Sequence, residues 1–349
     1  MKSVDKTNSP TTIQPPDFSV ADVAAVVTDK FGLTGNYEQL VSERDQNFRL
    51  KTPEGRRFVV KVTGRAEDRI ATDFQIEMLS HFEDNEFDLA PRVCTTQSGQ
   101  KRSTISSDDG TEYSLRVVTY LDGALLHDVG LTTKNVTRFG QRLAELDLSL
   151  ASFEFDGDGQ AGLWDMQEFL QLQELLSHVG DTKVRKYTGA VLARFEESIL
   201  PALRSMPKQA IHNDANPENI LMNEHNDVSG FIDFGDALKA PRIIEVAIAA
   251  SYLRTKSDDP LELISPFVNG YHQKSPLTAA ELNLLFDLIR TRLAMTLIIM
   301  YWRLMARDED DPYRQKTIEN ESNAFDLLVF LTDLGQDDFN HRLNIGEQG

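Results

Sequence analysis

Residues 209–236, QAIHNDANPENILMNEHNDVSGFIDFGD, restrict what this chain can fold into more than any other stretch. Ala210 and Ile211 run into His212, Asn213 and Asp214. A loop, Ala215 to Glu218, leads to Asn219 and the apolar run Ile220 to Met222. A polar turn, Asn223 to Asp227, then reverses the chain into Val228 to Ile232, which ends at Asp233. Apolar runs joined by an Asn/Asp-rich turn read as a hairpin, here with Asp214, Asn219 and Asp233 gathered at one end. Any one of these side chains alone could merely cap a turn. Three oxygen-bearing groups together suit a hard divalent cation and a hydroxyl nucleophile. Mg²⁺ prefers oxygen ligands and takes one or two from protein, the rest from water and phosphate. Asn219 and Asp233 are the expected Mg²⁺ ligands, and Asp214 remains to orient and deprotonate an alcohol.

Asn219 lies five residues after Asp214 and Asp233 nineteen, and Asp233-Phe234-Gly235 is a literal DFG. A catalytic-loop Asp, an Asn five residues on and a DFG Asp are the working parts of phosphoryl transfer in kinases. The stretch resembles the catalytic motif of the aminoglycoside phosphotransferase family, whose fold is protein-kinase-like. HNDAN followed by VSGFIDFGD is most similar to its hydroxylysine-kinase-like branch. One departure is Asn213, where most members of the family have Gly. Asn tolerates φ > 0, so a variant turn is expected there rather than altered chemistry. The resemblance implies an α+β chain with a small antiparallel-sheet lobe and a larger, mainly helical lobe.

Composition agrees with this and narrows it. At 349 residues the chain is long enough for two lobes. A formal charge of −19 argues against nucleic acid as a partner, since phosphate backbones demand clustered Lys and Arg. Cys94 is the only cysteine, which excludes an intrachain disulfide and a multi-Cys metal site. Its setting beside Val93 and Thr95 reads as a packed thiol. The longest apolar run, Leu293 to Trp302, is too short to span a bilayer, and the N-terminus lacks a signal-peptide core. Cytoplasmic placement and no membrane partner are expected.

Along the chain, residues 1–17 read as a disordered tail, 18–120 as the smaller lobe and 121–349 as the larger. Val20, Val23, Val26 and Val27 at helical spacing predict a helix. Strands are expected at Tyr37 to Glu43, Asn47 to Thr52 and Arg56 to Val62, then near Lys101 to Ser106 and Thr111 to Tyr120. The connection Ser42 to Asn47 stands where kinases place a phosphate-covering loop. It has no glycine, yet SERDQNF resembles the hydroxylysine-kinase-like relatives, and Gln46 and Asn47 are candidate phosphate donors. Lys61, among β-branched neighbours, would ordinarily be an exposed strand residue. Sixteen residues later, Glu77 shares a helical face with Ile70, Phe74 and Met78. A carboxylate on an apolar face needs a partner, and Lys61 is the natural one. That pair would hold the nucleotide α- and β-phosphates. By resemblance, backbone groups of Thr119, Tyr120 and Leu121 would read the purine edge.

Beyond Leu125 the pattern becomes helical, with Val136, Phe139, Leu143, Leu146 and Leu150 on one face. Gly157 to Gly162 matches GxGxxG, but no apolar strand precedes it, so it reads as a loop rather than a dinucleotide site. Helices are expected at Asp165 to His178, Val184 to Leu203, Ile243 to Leu253, Pro260 to Gln273 and Thr278 to Arg307. Glu245 is expected to anchor the catalytic loop. Arg290 and Arg292 interrupt the last apolar helix; one should pair with a buried carboxylate, a substrate carboxylate being the alternative.

The resemblance implies an enzyme that passes the γ-phosphate of ATP or GTP to a hydroxyl of a small amino-bearing metabolite, a hydroxylysine-like amino acid foremost. Asp236 and Trp164 are candidates for contacting the amino-bearing substrate, structural roles being the alternative. An aminoglycoside, choline or ethanolamine phosphotransferase would share every catalytic residue. A nucleotide-binding module without turnover is the reading of another class, opposed by the presence of Lys61, Glu77, Asp214, Asn219 and Asp233 together.

Overall fold

The computed structural model describes residues 15–40, 42, 45–64, 69–159, 162–254, 259–305, 312–343 and 345, with 69 and 312–322 by backbone alone. The expectations for residues 1–14 and for positions 41, 43, 44, 160, 161, 306 and 307 lie outside the described residues. The smaller lobe opens with α1 (Val20–Phe31) and strands β1 (Asn36–Leu40), β2 (Gln46–Lys51) and β3 (Arg57–Val62). Helix α2 (Arg69–Asp84) and strands β4 (Val93–Cys94), β5 (Ser103–Ser106) and β6 (Glu112–Thr119) complete it. The antiparallel sheet runs β1-β2-β3-β6-β4, and β5 also pairs with β6.

Period-two alternation decides which strand residues meet the cleft. Phe48, Leu50, Val60, Val62, Leu115 and Val117 pack on Val23, Val27 and Phe31 of α1. The opposite face carries Asn47, Lys61 and Arg116, which stand side by side because Lys61 pairs across from Asn47 on β2 and from Arg116 on β6. Ser19 caps α1 by accepting from the Asp22 amide, and Gly32, at φ 67°, ends it. Cys94 packs against this sheet core, and burial pushes its thiol up to about 11.

Helix α2 belongs to the other core. Its stripe of Ala71, Phe74, Gln75, Met78 and Phe82 is buried, and Phe74, Met78 and Phe82 join the large-lobe cluster together with Ala90 and Val118. That stripe is rotated from the expected one. Ile70 is 54% exposed, and Glu77 lies on the same flank, off the buried face.

The larger lobe contains β7 (Ala124–Leu125), α3 (Leu126–Val129) and α4 (Thr133–Leu150). Two 3₁₀ segments, Gly162–Trp164 and Met166–His178, precede α5 (Thr182–Arg194), which passes through a π turn into α6 (Leu200–Arg204). Strands β8 (Gln209–Ile211), β9 (Ile220–Met222), β10 (Val228–Phe231) and β11 (Leu238–Ala240) hold the catalytic stretch. Helices α7 (Ile243–Ser251), α8 (Leu261–Lys274), α9 (Ala279–Met305), α10 (Pro312–Leu334) and α11 (Gln336–Leu343) follow.

The expected hairpin is β9–β10, widened by β7 into three strands, whereas β8 pairs with β11. Residues 157–159 join that second pair: Gly159 bridges to Leu238, and the Lys239 amide donates to the Asp158 carbonyl at 2.7 Å. Among the described residues no strand–turn–helix surrounds them. Asp165 to His178 was expected as an α-helix; it forms a 3₁₀ run broken by non-helical Glu168. Helices α4 and α8 touch backbone to backbone. A Cβ on Gly140 would lie 2.1 Å from the Phe267 carbonyl oxygen, and one on Gly270 would lie 2.3 Å from that of Thr137. Among the described residues no helix is long and apolar enough to cross a membrane.

Candidate active site

The loop after β8 is fixed by its backbone before any side chain reaches the cleft. His212 is fully buried; its Nδ1 accepts from the Asp214 amide at 3.2 Å and its Nε2 donates to the Ile232 carbonyl at 2.9 Å. An amide can only donate and a carbonyl only accept, so the ring carries its proton on Nε2. Asn213 has φ 64°, the left-handed region anticipated for it. Its amide donates to Glu245 Oε2 at 2.8 Å, so Glu245, fully buried on α7, anchors the loop as expected. Burial raises the Glu245 carboxyl above its ordinary range.

This turn presents Asp214 to the cleft. The Asn219 side-chain Nδ2 donates to its carbonyl at 2.9 Å and to Oδ2 at 2.8 Å, while the Asn216 Nδ2 donates to Oδ1 at 3.0 Å. Arg292 Nη2 stands 3.5 Å from Oδ1. Burial lifts the carboxyl from 3.8 to about 7; the nearby Asp236 charge adds to that rise, and Arg292 opposes it. The side chain keeps 24% of its exposure, enough to meet a small molecule.

Asp233 closes the far side. It adopts a left-handed conformation, φ 59° and ψ 71°, immediately after the Ile232 amide donates to the Asn219 carbonyl at 3.0 Å. Asn219 and Asp233 therefore sit next to each other at the same end of the β9–β10 hairpin. From the opposite lobe, Lys61 Nζ reaches Asp233 Oδ1 at 3.2 Å and lies 3.8 Å from Asp45 Oδ2. Among the described residues no cluster of three or more His, Cys, Asp or Glu could hold a metal by itself. A carboxylate and an amide oxygen are donor types that Mg²⁺ takes, and it needs few protein ligands where phosphate and water complete its shell.

Several expected site residues stand elsewhere. Glu77 pairs with Lys101 at 2.7 Å instead of Lys61, because α2 buries a face about a third of a turn away. The buried position goes to Gln75: its Oε1 accepts from Arg116 Nη2 at 2.7 Å, and its Nε2 donates to the Gly235 carbonyl at 3.2 Å. Gln75 thus ties sheet, helix and DFG segment together. Gln46 is turned to the back of the sheet, in phase with Phe48 and Leu50. Its side chain bonds both backbone groups of Phe18 at 2.9 Å, which removes it from the phosphate site. Asn47 keeps the cleft face, opposite Lys61.

At the hinge, the Thr119 amide donates to the Arg92 carbonyl at 2.9 Å and the Tyr120 amide to that of Arg57 at 3.1 Å. Those two N–H groups are spent within the protein. Leu121 lies over the hairpin, within 2.8 Å of where a Cβ on Gly230 would stand. Asp236 is 8% exposed and close enough to Asp214 to raise its carboxyl. Trp164 lies over the Arg292 guanidinium, 4.4 Å from it to the ring centre. Arg290 pairs with the buried Asp287 at 3.0 Å. Asp45 and Gln75 were the positions that sequence reasoning did not single out, whereas Arg290 and Arg292 each stand near a carboxylate, Asp287 and Asp214.

Comparison with known proteins agrees with the geometry. The family described as "Phosphotransferase enzyme family" matches residues 36–282. Hydroxylysine kinase of Mus musculus is 26% identical over 348 residues, covering 92% of this chain and 91% of its own. That of Danio rerio is 26% identical over 340 residues, covering 94% and 95%. Amicoumacin kinase hAmiN, solved with AMP-PNP, Ca²⁺ and Ami, superposes with a TM-score of 0.69 at 12% identity, covering 89% of this chain and 94% of that one. A microcompartment-associated aminopropanol kinase gives 0.65 at 15% identity, covering 92% and 98%. At such identities the superpositions speak for the fold alone: a small antiparallel lobe and a larger helical lobe, as in protein-kinase-like enzymes. The matched span takes in Lys61, Asp214, Asn219 and Asp233, and the chain belongs to the phosphotransferase enzyme family.

Proposed function

We propose that this phosphotransferase moves the terminal phosphoryl group of ATP or GTP to a hydroxyl of a small amino-bearing metabolite, with a hydroxylysine-like amino acid as the favoured acceptor. The observation that carries the proposal is Lys61, which crosses from the sheet lobe to within 3.2 Å of Asp233, beside the Asp214–Asn219 pair bonded at 2.8 Å. The acceptor preference is supported by the hydroxylysine kinases that match over more than nine-tenths of the chain.

In this reading the nucleotide lies between the lobes, with Lys61 and the cleft face of β2 and β3 against its phosphates. Asn219 and Asp233 would hold Mg²⁺, which when bound neutralises charge on the phosphate oxygens. Asp214 accepts the acceptor's hydroxyl proton as its oxygen bonds to the γ-phosphorus. The bridging P–O bond breaks, and its electrons leave with the nucleoside diphosphate. Asp214 is protonated once per turnover and must shed that proton to solvent through its exposed edge. The protein supplies position and charge rather than a covalent intermediate.

A nucleotide-consumption assay across 5-hydroxylysine, ethanolamine, choline and aminoglycosides tests this. Hydroxylysine should give the highest kcat/KM. Preference for an aminoglycoside would overturn the acceptor assignment, and nucleotide binding without consumption over the whole panel would overturn the enzyme.

A further inference from the structure

Helix α9 carries a cation to the catalytic base that the phosphoryl-transfer scheme leaves unused. Arg292 is 2% exposed. Its Nη2 lies 3.5 Å from Asp214 Oδ1 and 3.2 Å from the Tyr252 hydroxyl. Its Nε and Nη1 are buried and have no hydrogen-bond partner among the described residues. Unmet donors on a buried charge are costly, and such groups in a native fold call for a reason. Trp164 covers one face of the guanidinium at 4.4 Å. Stacking occupies the face of an Arg and leaves its in-plane N–H groups for a carboxylate.

Tyr252 and Asn216 line a cavity of about 420 Å³ together with His127, Pro217, Glu218 and Arg254 among others. Two of those residues have a second role. Asn216 donates to Asp214, and the Tyr252 hydroxyl meets Arg292. The cavity therefore shares one wall residue with the base and one with the cation.

We propose that Arg292 is the carboxylate-binding residue of the acceptor site, and that it selects amino-acid acceptors over polycationic ones. The inference rests on the reading of Asp214 as the base, which fixes where the acceptor hydroxyl sits. A small swing of the Tyr252 phenol opens the cavity onto the guanidinium. The acceptor's carboxylate then takes the unmet donors while its hydroxyl faces Asp214. Because that carboxylate competes with Asp214 for Nη2, the right acceptor also releases the base from its cation. An ammonium-rich acceptor meets a buried like charge at the same place and is rejected.

Binding to the ligand-free protein, measured by calorimetry, tests this without any turnover. L-Lysine is hydroxylysine without its hydroxyl; cadaverine is lysine without its carboxylate. Wild type should bind lysine about 100-fold more tightly than cadaverine. Arg292→Met should bring the two within about threefold by weakening lysine alone, and Arg292→Lys, which keeps the charge but not the planar fork, should fall between. Nucleotide affinity of each variant reports its folding, and Arg292→Lys decides the matter if Arg292→Met does not fold. Equal binding of both ligands by wild type, no lysine binding, or equal weakening of both by the variants would overturn the inference and leave Arg292 as a positioning group for Asp214. Failure of the kinase reading would show separately, as absent phosphorylation of every hydroxylated acceptor.

Discussion

Burial and a neighbouring acid both disfavour the charged form of Asp214. Its carboxyl is raised from 3.8 to about 7, first by burial, then by Asp236. A general base works deprotonated, so kcat/KM should climb as pH rises through about 7 and level off above it. Arg292 opposes the rise, so its removal in Arg292→Met should move that acid limb to higher pH; an unmoved limb in the pH–rate profile would contradict the assignment. Asp214→Asn should lower turnover about 1000-fold while leaving nucleotide affinity within about twofold. Asp45 makes a further residue-scale claim. It shares Lys61 with Asp233, and in the proposed scheme it would compete with phosphate for that cation. Asp45→Asn should therefore tighten nucleotide binding several-fold in a titration, and weaker binding would contradict it. The grouping of Asp214, Asn219 and Asp233 was legible because a short loop and one hairpin fix their spacing. Asp45 was not, because its meeting with Lys61 depends on how a loop closes over a sheet. Gln46 could have been read correctly, since it shares the parity of Phe48 and Leu50 and must face the core with them.

At the scale of elements, what sequence displays best is a long periodic face. Helices α1, α4, α8 and α9 and strands β2, β3 and β6 all lie where their apolar spacing placed them. Strands of two or three residues, such as β4, β7 and β11, carry too few residues to show a period, and tertiary pairing makes them. Helix α2 misled because Ile70 completes an apolar pattern on the wrong flank, and half-exposed Ile70 and Glu77 followed it there. Its true stripe contains the polar Gln75, whose burial depends on Arg116 and on the Gly235 carbonyl. The contact of α4 with α8 leaves no room for a methyl group at two glycines. Gly270→Ala should destabilise the protein by about 1–3 kcal/mol through overpacking. Urea unfolding with an unchanged midpoint would show that the helices can part freely.

Considered whole, the molecule is two cores joined at the candidate site. The sheet core packs on α1; the large core takes in α2, so the helix that supports the Lys61 sheet rides on the catalytic lobe. Lys61–Asp233 and Arg116–Gln75 both cross that junction. The two-lobed plan followed from one motif and its resemblance, but the hand-over of α2 between cores did not, because burial of a helix by a distant lobe has no local signature. The central claim is that this junction transfers phosphoryl groups to a hydroxyl oxygen by way of Asp214. Phosphorus NMR of a reaction containing a nucleoside triphosphate, Mg²⁺ and 5-hydroxylysine tests it most directly. The account predicts a phosphate-ester resonance that grows as the nucleoside diphosphate appears with wild type and is absent with Asp214→Asn. The same resonance growing equally fast with Asp214→Asn, or no ester from wild type with any hydroxylated acceptor, would contradict it.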